Sequence, residues 1–268
     1  MLTFANAKIN LGLLVTEKRE DGYHNIETIF YPVKLYDVVE LTESEEFYFR
    51  TEGLEIPTAG QNICEKAYRL LQQDFVVKPV VIDLLKNIPI GAGLGGGSSD
   101  AAHVLKILNE LNGLGLSAND LKGYAAKLGA DCPFFIDNKP VFASGIGTTF
   151  EAVDVDLSTY YMVIVKPDIH ISTAEAYSSI MPQTPTVDLR RAIQLPVQEW
   201  KYHLVNDFEL GIFEKYPLIE KIKHTFYEKG ALYAAMSGSG SAVFGIFEEE
   251  VNLDDMGDLG RVYYPVEL

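Results

Sequence analysis

The segment of the chain that points most directly to chemistry is rich in glycine. Five glycines lie within residues 91–97, and Ser98 and Ser99 follow at the predicted start of a helix. Because glycine has no Cβ, backbone N–H groups in such a loop can approach an anion closely, and the first N–H groups of a helix lack partners within it. The combination predicts a phosphate-binding loop. We assign to it Pro89, Ile90, Gly91, Ala92, Gly93, Leu94, Gly95, Gly96, Gly97, Ser98 and Ser99.

Other interpretations of this loop compete with phosphate binding. A flexible linker with Ser98 or Ser99 as N-cap is disfavoured, because ordering so many glycines costs conformational entropy. Gly91, Gly93 and Gly96 match the dinucleotide pattern G-x-G-x-x-G. That pattern requires a βαβ unit with an acidic residue after the next strand, whereas here a second helix follows the first. A Walker A loop is excluded because no Gly-Lys-Ser/Thr closes the run.

Several polar side chains are candidates for catalysis or binding, and each also has a structural explanation. Lys8 lies on the polar face of an alternating strand with Asn10, where a lone lysine usually faces solvent. Asp131, taken alone, is a turn aspartate, and His24 is either packed or solvent-facing. Asp100 falls in the first turn of a helix, where it would favour the helix dipole or assist Mg²⁺. The other histidines lack metal-ligand spacing with another His, Cys or carboxylate; they are His103, His170, His203 and His224.

Hydrophobic periodicity predicts the elements that must position these residues. A strand with alternating faces covers residues 4–15, and a second Gly-Ser segment, 237–240, joins two apolar strands. That segment is either a wide hairpin loop or a surface that closes against the glycine loop. Further strands are predicted at 80–85, 161–165, 231–236 and 242–247, and helices at 62–73, 99–112, 118–128, 203–214 and 217–229. The order predicts an α+β fold with two lobes, residues 1–155 and 156–268.

Composition restricts the partners. With 22 basic and 38 acidic side chains in 268 residues, the net charge is −16, which argues against nucleic acid or an anionic membrane as the main partner. A phosphorylated substrate stays possible, because screening over about 8 Å at physiological salt makes local donors decisive. The two cysteines are too few for a disulfide framework, and no leader or long apolar run is present. We expect a soluble, cytoplasmic protein.

Together the motifs resemble the GHMP kinases, the superfamily of galactokinase, homoserine kinase, mevalonate kinase and phosphomevalonate kinase. Residues 89–99 resemble its glycine-rich loop throughout. The branch of 4-diphosphocytidyl-2-C-methyl-D-erythritol kinases, from non-mevalonate isoprenoid biosynthesis, is similar also in its other motifs. These correspond to residues 7–11, 19–24, 129–135 and 237–240, with weaker matches at 172–177 and 206–209.

The resemblance implies a fold and a set of roles. The fold would combine an N-terminal lobe like ribosomal protein S5 with a ferredoxin-like C-terminal lobe. Asp131 would accept the proton of the C2 hydroxyl as the γ-phosphoryl group of ATP is transferred, with Lys8 beside it and Mg²⁺ as cofactor. The cytidine-diphosphate-linked substrate would contact Asn10, Tyr23, His24, Thr173 and Tyr177.

Two other functions stay open from the sequence. One is a sister kinase acting on homoserine, mevalonate or another small alcohol. Residues 21–24 disfavour this alternative. The other is a nucleotide-binding protein without catalysis, against which Lys8 and Asp131 speak. The oligomeric state and the Mg²⁺ ligands do not follow from the sequence.

Overall fold

The computed structural model describes residues 1–57 and 60–265 and has the predicted α+β fold. The strands are β1 (Leu2–Lys18), β2 (His24–Glu43), β3 (Tyr48–Gly53), β4 (Val80–Lys86), β5 (Val141–Ser144), β6 (Thr149–Ala152), β7 (Tyr161–Lys166), β8 (Tyr233–Met236), β9 (Val243–Phe247) and β10 (Arg261–Tyr263). The α-helices are α1 (Ile63–Gln72), α2 (Gly96–Leu111), α3 (Ala118–Leu128), α4 (Phe134–Asp137), α5 (Thr173–Ser178), α6 (Leu189–Ala192), α7 (Phe208–Lys215) and α8 (Pro217–Glu228). Short 3₁₀ helices cover Val197–Tyr202 and Asp254–Asp258.

The chain forms two compact units whose segments alternate along the sequence. Unit 1 comprises residues 1–8, 34–90 and 95–139. Unit 2 comprises residues 9–33, 91–94 and the chain from residue 140 onward. Strands β1 and β2 therefore each supply residues to both units. The division into lobes at residues 155 and 156 stays a prediction.

Unit 1 consists of strands covered by helices α1 to α4. The second part of β2 pairs antiparallel with β4, which pairs on its other side in parallel with β3. Helix α1 packs against α2 and α3, and α4 packs against the same two helices. Helices α1 and α3 both begin with a capping box, through Asn62 with Glu65 and through Ser117 with Asp120. Their first turns are thus fixed by side chains of the chain itself.

Unit 2 is built around a four-stranded antiparallel sheet in the order β10-β7-β9-β8. Helix α8 packs on this sheet, and residues such as Val163, Phe226 and Val243 form a core with Leu13 and Val15 of β1. The first part of β2 pairs with β5, which pairs with β6. The unit thus encloses the middle of the first strand within its own core.

The structure corrects several predicted boundaries. Helix α2 begins at Gly96 rather than Ser99, and the helix predicted from residue 203 begins at Phe208, after a 3₁₀ turn. Helix α3 covers 118–128 as predicted. The short helices α4 and α5 and the strands β3, β5 and β6 were not predicted, since their four to six residues carry too little periodicity. Among the described residues, the structure contains no helix with the length and apolar character needed to span a membrane.

Candidate active site

Lys8 and Asp131 lie side by side in unit 1, as the resemblance implied. Lys8 Nζ is 3.6 Å from Asp131 Oδ2, and the side chain of Asp131 is 35% exposed. Lys8 itself is only 4% exposed, so the interpretation as a lysine on a solvated strand face is wrong. Burial lowers the pKa of the Lys8 ammonium, and the neighbouring charge of Asp131 acts in the opposite direction. The pair combines a buried cation with a carboxylate that solvent or substrate can reach.

The segment that carries Asp131 is held by short-range hydrogen bonds and by one long-range contact. Helix α3 ends at Leu128, and the Cys132 N–H donates to the Gly129 carbonyl at 3.2 Å to form a turn around Asp131. The Nζ of Lys106, on α2, donates to the Phe135 carbonyl at 3.0 Å. Asp131 is thereby fixed between α3 and α4, which pack against each other.

Lys8 also packs against the start of the helix that follows the glycine loop. Gly95, the N-cap of α2, has φ = +71°, and a Cβ there would lie 3.0 Å from Lys8 Cγ and 2.9 Å from a ring carbon of Phe135. Glycine is required by both the left-handed backbone and the close packing. The second half of the predicted phosphate loop, Lys8 and Asp131 thus lie together in unit 1.

The first turn of α2 has no side-chain cap within the described part of the chain. The interpretation of Ser98 or Ser99 as N-cap is wrong, because both lie inside the helix, with Ser98 at its third position. Ser99 is buried, and its carbonyl lies 2.8 Å from Nδ1 of His103, whose pKa burial lowers to about 4. The first turn thus keeps N–H groups that can bind an anion.

A buried ionic cluster packs against the first turn of α2. Lys86, at the end of β4, pairs with both Asp37 and Asp100, and all three side chains are nearly inaccessible to solvent. Asp37 Oδ1 also accepts the N–H groups of Asn87 and Ile88, at 2.6 and 2.8 Å. A Cβ on Gly96 would lie 2.8 Å from Lys86 Nζ. The ammonium therefore lies directly against the first helical residue.

Asp100 is the member of this cluster with a raised pKa. Its Oδ2 accepts from Lys86 at 3.0 Å, whereas Oδ1 is buried without a hydrogen-bond partner among the described residues. The pKa of Asp100 is raised to about 8, because burial, with a smaller contribution from Asp37, outweighs the lowering effect of Lys86. At 1% exposure, and with Lys86 on its other oxygen, this carboxyl does not fit the suggested role of an Mg²⁺ ligand.

Replacing Asp100 with asparagine should flatten the dependence of stability on pH. The ordinary pKa of the group is 3.8, and the folded value is about 8. The folded state therefore holds a proton that the unfolded state releases, and stability falls as pH rises from about 4 to about 8. In urea unfolding between pH 5 and 9, we expect the free energy of unfolding to fall more steeply with rising pH for the wild type than for Asp100→Asn. Equal slopes would contradict this assignment.

The first half of the glycine loop lies in unit 2, against the Ser237–Gly240 segment. Ser237 Oγ donates to the Gly93 carbonyl at 2.8 Å, and the Ala242 N–H donates to the Ala92 carbonyl at 3.1 Å. Gly93 has φ = +78°, and a Cβ there would lie 1.9 Å from the Ser237 carbonyl oxygen. The interpretation of 237–240 as a surface that closes against the glycine loop therefore describes the structure.

Of the residues predicted to bind the second substrate, the structure brings His24 and Tyr177 together. Their rings stack with centroids 4.6 Å apart and planes at 17°, and Phe208 packs edge-on against Tyr177 at 4.9 Å. Tyr23 is 64% exposed in the turn before β2, and Thr173 is exposed at the start of α5. Stacked rings with exposed neighbours form a surface on which a flat base can bind.

Asn10 is buried in unit 2 rather than exposed to a solvent-filled site. Its Nδ2 donates to Thr28 Oγ1 at 2.9 Å, and that hydroxyl donates to the Gly12 carbonyl at 2.6 Å. Its Oδ1 lies 3.3 Å from where a Cβ of Gly238 would be, so it faces the Ser237–Gly240 segment. A role toward substrate phosphates stays a prediction.

Sequence reasoning missed Asp37, Lys86 and the contact of His170 with the loop. A Cβ on Gly91 would lie 2.9 Å from the His170 ring. The signal for the first two was present, because each is a charged residue within an apolar strand pattern. Asp37 lies 49 residues before Lys86, and their common partner on α2 lies 14 residues after Lys86, so the pattern alone gives no cluster.

The chain is similar to known proteins along its whole length. The family model described as GHMP kinases N terminal domain matches residues 62–139, and GHMP kinases C terminal matches residues 194–258. A 4-diphosphocytidyl-2-C-methyl-D-erythritol kinase from Bacteroides fragilis is 54% identical over 273 residues, covering 100% of both chains. A crystal structure of 4-(cytidine 5'-diphospho)-2C-methyl-D-erythritol kinase is 30% identical with a TM-score of 0.83, covering 98% of each chain. A mevalonate kinase, 12% identical over 98% of each chain with a TM-score of 0.70, is similar in fold alone.

Proposed function

The chain belongs to the 4-diphosphocytidyl-2-C-methyl-D-erythritol kinase family of GHMP kinases, and we propose from this that it phosphorylates the C2 hydroxyl of 4-diphosphocytidyl-2-C-methyl-D-erythritol. The resemblance found in the sequence is thereby confirmed, and the protein is an ATP-dependent small-molecule kinase. The product belongs to isoprenoid precursor biosynthesis. The cytoplasmic location expected from the sequence stays a prediction.

The observation that carries the proposed reaction is the buried Lys8 beside Asp131 at the start of α2. The substrate hydroxyl oxygen forms a bond to the γ-phosphorus, and the bond from that phosphorus to the β–γ bridging oxygen breaks, so its electron pair leaves with ADP. Asp131 accepts the hydroxyl proton, and the Lys8 charge stabilises the reacting oxygens. Because phosphoryl transfer has a loose transition state, positioning and charge stabilisation outweigh early deprotonation.

Mg²⁺ belongs to the proposal as the companion of ATP. Within the described residues, no group of three or more His, Cys, Asp and Glu side chains could hold a metal ion. Mg²⁺ in kinases is held largely by substrate phosphates and water, with one or two carboxylates, so such a cluster is not required. When bound, it would neutralise charge on the β- and γ-phosphates.

The proposed function is tested by measuring ADP release with Mg-ATP and three alcohols. We expect turnover of the cytidyl substrate and none of mevalonate or homoserine. The reverse pattern would establish a sister kinase. ATP binding without turnover of any of the three would establish a nucleotide-binding protein without catalysis.

His24→Ala should raise KM for the cytidyl substrate and leave kcat nearly unchanged. Tyr177 covers one face of the His24 ring, so we propose that cytosine stacks on the opposite face. Stacking between a base and an aromatic side chain contributes about 1–3 kcal/mol, which corresponds to a roughly 5- to 150-fold rise in KM. His224→Ala, on the exposed side of α8, is the control. An unchanged KM in His24→Ala would remove this residue from the base pocket.

A further inference from the structure

The segment Asn206-Asp207-Phe208-Glu209 has no part in the reaction proposed above, yet the side chains of Asn206, Asp207 and Glu209 make long-range hydrogen bonds within unit 2. Asn206 is 4% exposed and Glu209 8% exposed. A buried polar side chain is costly unless its partners are in place, so these contacts define the local backbone. They fix the conformation of the Ser237–Gly240 loop, which contacts Gly93.

Asn206 uses its whole amide group. Its Nδ2 donates to the carbonyls of Met236 and Gly238, at 2.8 and 2.9 Å. Its Oδ1 accepts the N–H of Phe208 at 3.0 Å. One side chain thereby joins the end of β8 to the turn of the Ser237–Gly240 segment. The carbonyls of Met236 and Gly238 therefore both point toward Asn206 Nδ2.

The neighbours of Asn206 fix the same region from two more sides. Glu209 Oε1 accepts the Met236 N–H at 2.8 Å, and its Oε2 pairs with Lys223 at 2.6 Å. Asp207 Oδ2 accepts the Val15 N–H at 2.7 Å, and its own N–H donates to the Leu13 carbonyl. The segment is therefore anchored to α8 and to β1, and Asn206 is the member that reaches the Ser237–Gly240 loop.

That loop in turn holds the first half of the phosphate loop. Ser237 Oγ donates to the Gly93 carbonyl, and the Ser237 carbonyl lies so close to Gly93 that no side chain fits between them. A change in the backbone of 237–238 must therefore be transmitted to Gly93, because two packed backbones have no space in which to absorb it.

We propose that Asn206 is a positioning residue for ATP, which acts by holding Ser237 and Gly238 in the conformation that fixes Gly93. The inference rests on the proposed function, in which residues 89–99 bind the phosphates of ATP. Asn206 acts through the loop and does not touch the reacting atoms.

Asn206→Asp is the sharpest test, because it replaces a single heavy atom, the Nδ2 donor, by an oxygen. The carboxylate keeps the oxygen that accepts the Phe208 N–H, so Tyr177 and His24 keep their support. The second oxygen would face the carbonyls of Met236 and Gly238, which repel it. Misplacement of a bound substrate by about 1 Å can make a reaction 10²-fold less efficient. We therefore expect KM for ATP to rise by roughly 10- to 100-fold while KM for the cytidyl substrate stays unchanged.

The control is Tyr233→Phe, which removes a different buried hydrogen bond of the same sheet, from Tyr233 Oη to the Leu204 carbonyl at 3.1 Å. It should lower thermal stability without changing either KM. Ser237→Ala removes only the hydrogen bond to Gly93 and should raise KM for ATP as well. Because the two residues act through one loop, the double variant Asn206→Asp/Ser237→Ala should be less impaired than the product of the single effects.

The dissociation constant of a non-hydrolysable ATP analogue, measured by calorimetry, separates this inference from the proposed function. Analogue binding by the wild type without turnover of the cytidyl substrate would overturn the function, whereas weakened binding of the analogue by Asn206→Asp would still support the inference. A folded Asn206→Asp with wild-type affinity for the analogue would overturn the inference. Equal rises in both KM values would also overturn it, because they indicate a general structural role. If Asn206→Asp does not fold, wild-type affinity in Ser237→Ala would overturn the inference in its place.

Discussion

Replacing Lys8 with methionine should lower kcat by about 10²–10³-fold, the usual cost of removing one preorganised donor to a charged transition state. Methionine is similar in length and apolar, so it can fill the buried space against Gly95 and Phe135 without leaving a charge. The fold should therefore persist while the cation beside Asp131 disappears. Steady-state kinetics with saturating Mg-ATP measures the effect. Lys139→Met, an exposed lysine of the same unit, should leave kcat at the wild-type value.

The matched change at the partner, Asp131→Asn, keeps the shape of the side chain and removes the proton acceptor. A general base contributes roughly 10²–10⁴-fold, so the loss should lie in that range. Because positioning and charge dominate phosphoryl transfer, we expect Lys8→Met to be at least as damaging as Asp131→Asn. If both variants keep near-normal kcat, the roles given to this pair are wrong.

Replacing Lys86 with methionine should reduce the free energy of unfolding by about 3–5 kcal/mol, the cost of breaking a buried ion pair from one side. Burial would lower the pKa of Lys86, but the charges of Asp100 and Asp37 outweigh it and raise the pKa, so the ammonium stays charged. Without it, the buried Asp37 carboxylate has no cation beside it, and the Asp100 carboxyl group loses the donor to its Oδ2. Urea unfolding at pH 7 measures the loss.

Two further variants make this prediction specific. Lys78→Met breaks an exposed ion pair with Glu43 and should cost only about 0–1 kcal/mol. The triple variant Lys86→Met, Asp37→Asn, Asp100→Asn replaces all three ionisable side chains and should recover part of the stability lost in Lys86→Met. If Lys86→Met costs no more than Lys78→Met, the cluster does not support the start of α2.

The sequence predicts local features well where the pattern is long. Residues 4–15 of the 17-residue strand β1 and all 11 residues of α3 were recognised from periodicity, because each carries several repeats of one face. The burial of Lys8 was not, since alternation separates two faces of a strand and does not tell which one faces water. In β1 both faces are buried, and only the tertiary structure reveals this.

Long-range pairing accounts for most of what the sequence did not predict. The parallel pairing of β3 with β4 joins an exposed strand, Tyr48–Gly53, to a distant one. The same holds for Lys86 with Asp37 and Asp100, which come from three separate elements. The pairing of Lys8 with Asp131 was expected only through the family resemblance, because no local pattern relates residues so far apart.

The start of α2, which no side chain of the described residues caps, has a thermodynamic consequence for the protein as a whole. Helices α1 and α3 of the same unit have their first turns ordered by their own side chains, whereas the first turn of α2 begins with a glycine that provides no such contact. If the phosphates of ATP provide it instead, ordering of that turn is linked to ligand concentration, and the amides of residues 96–98 should exchange with deuterium faster in the free protein than in the complex. The measured affinity for ATP would then be the intrinsic affinity reduced by the free energy of ordering this turn.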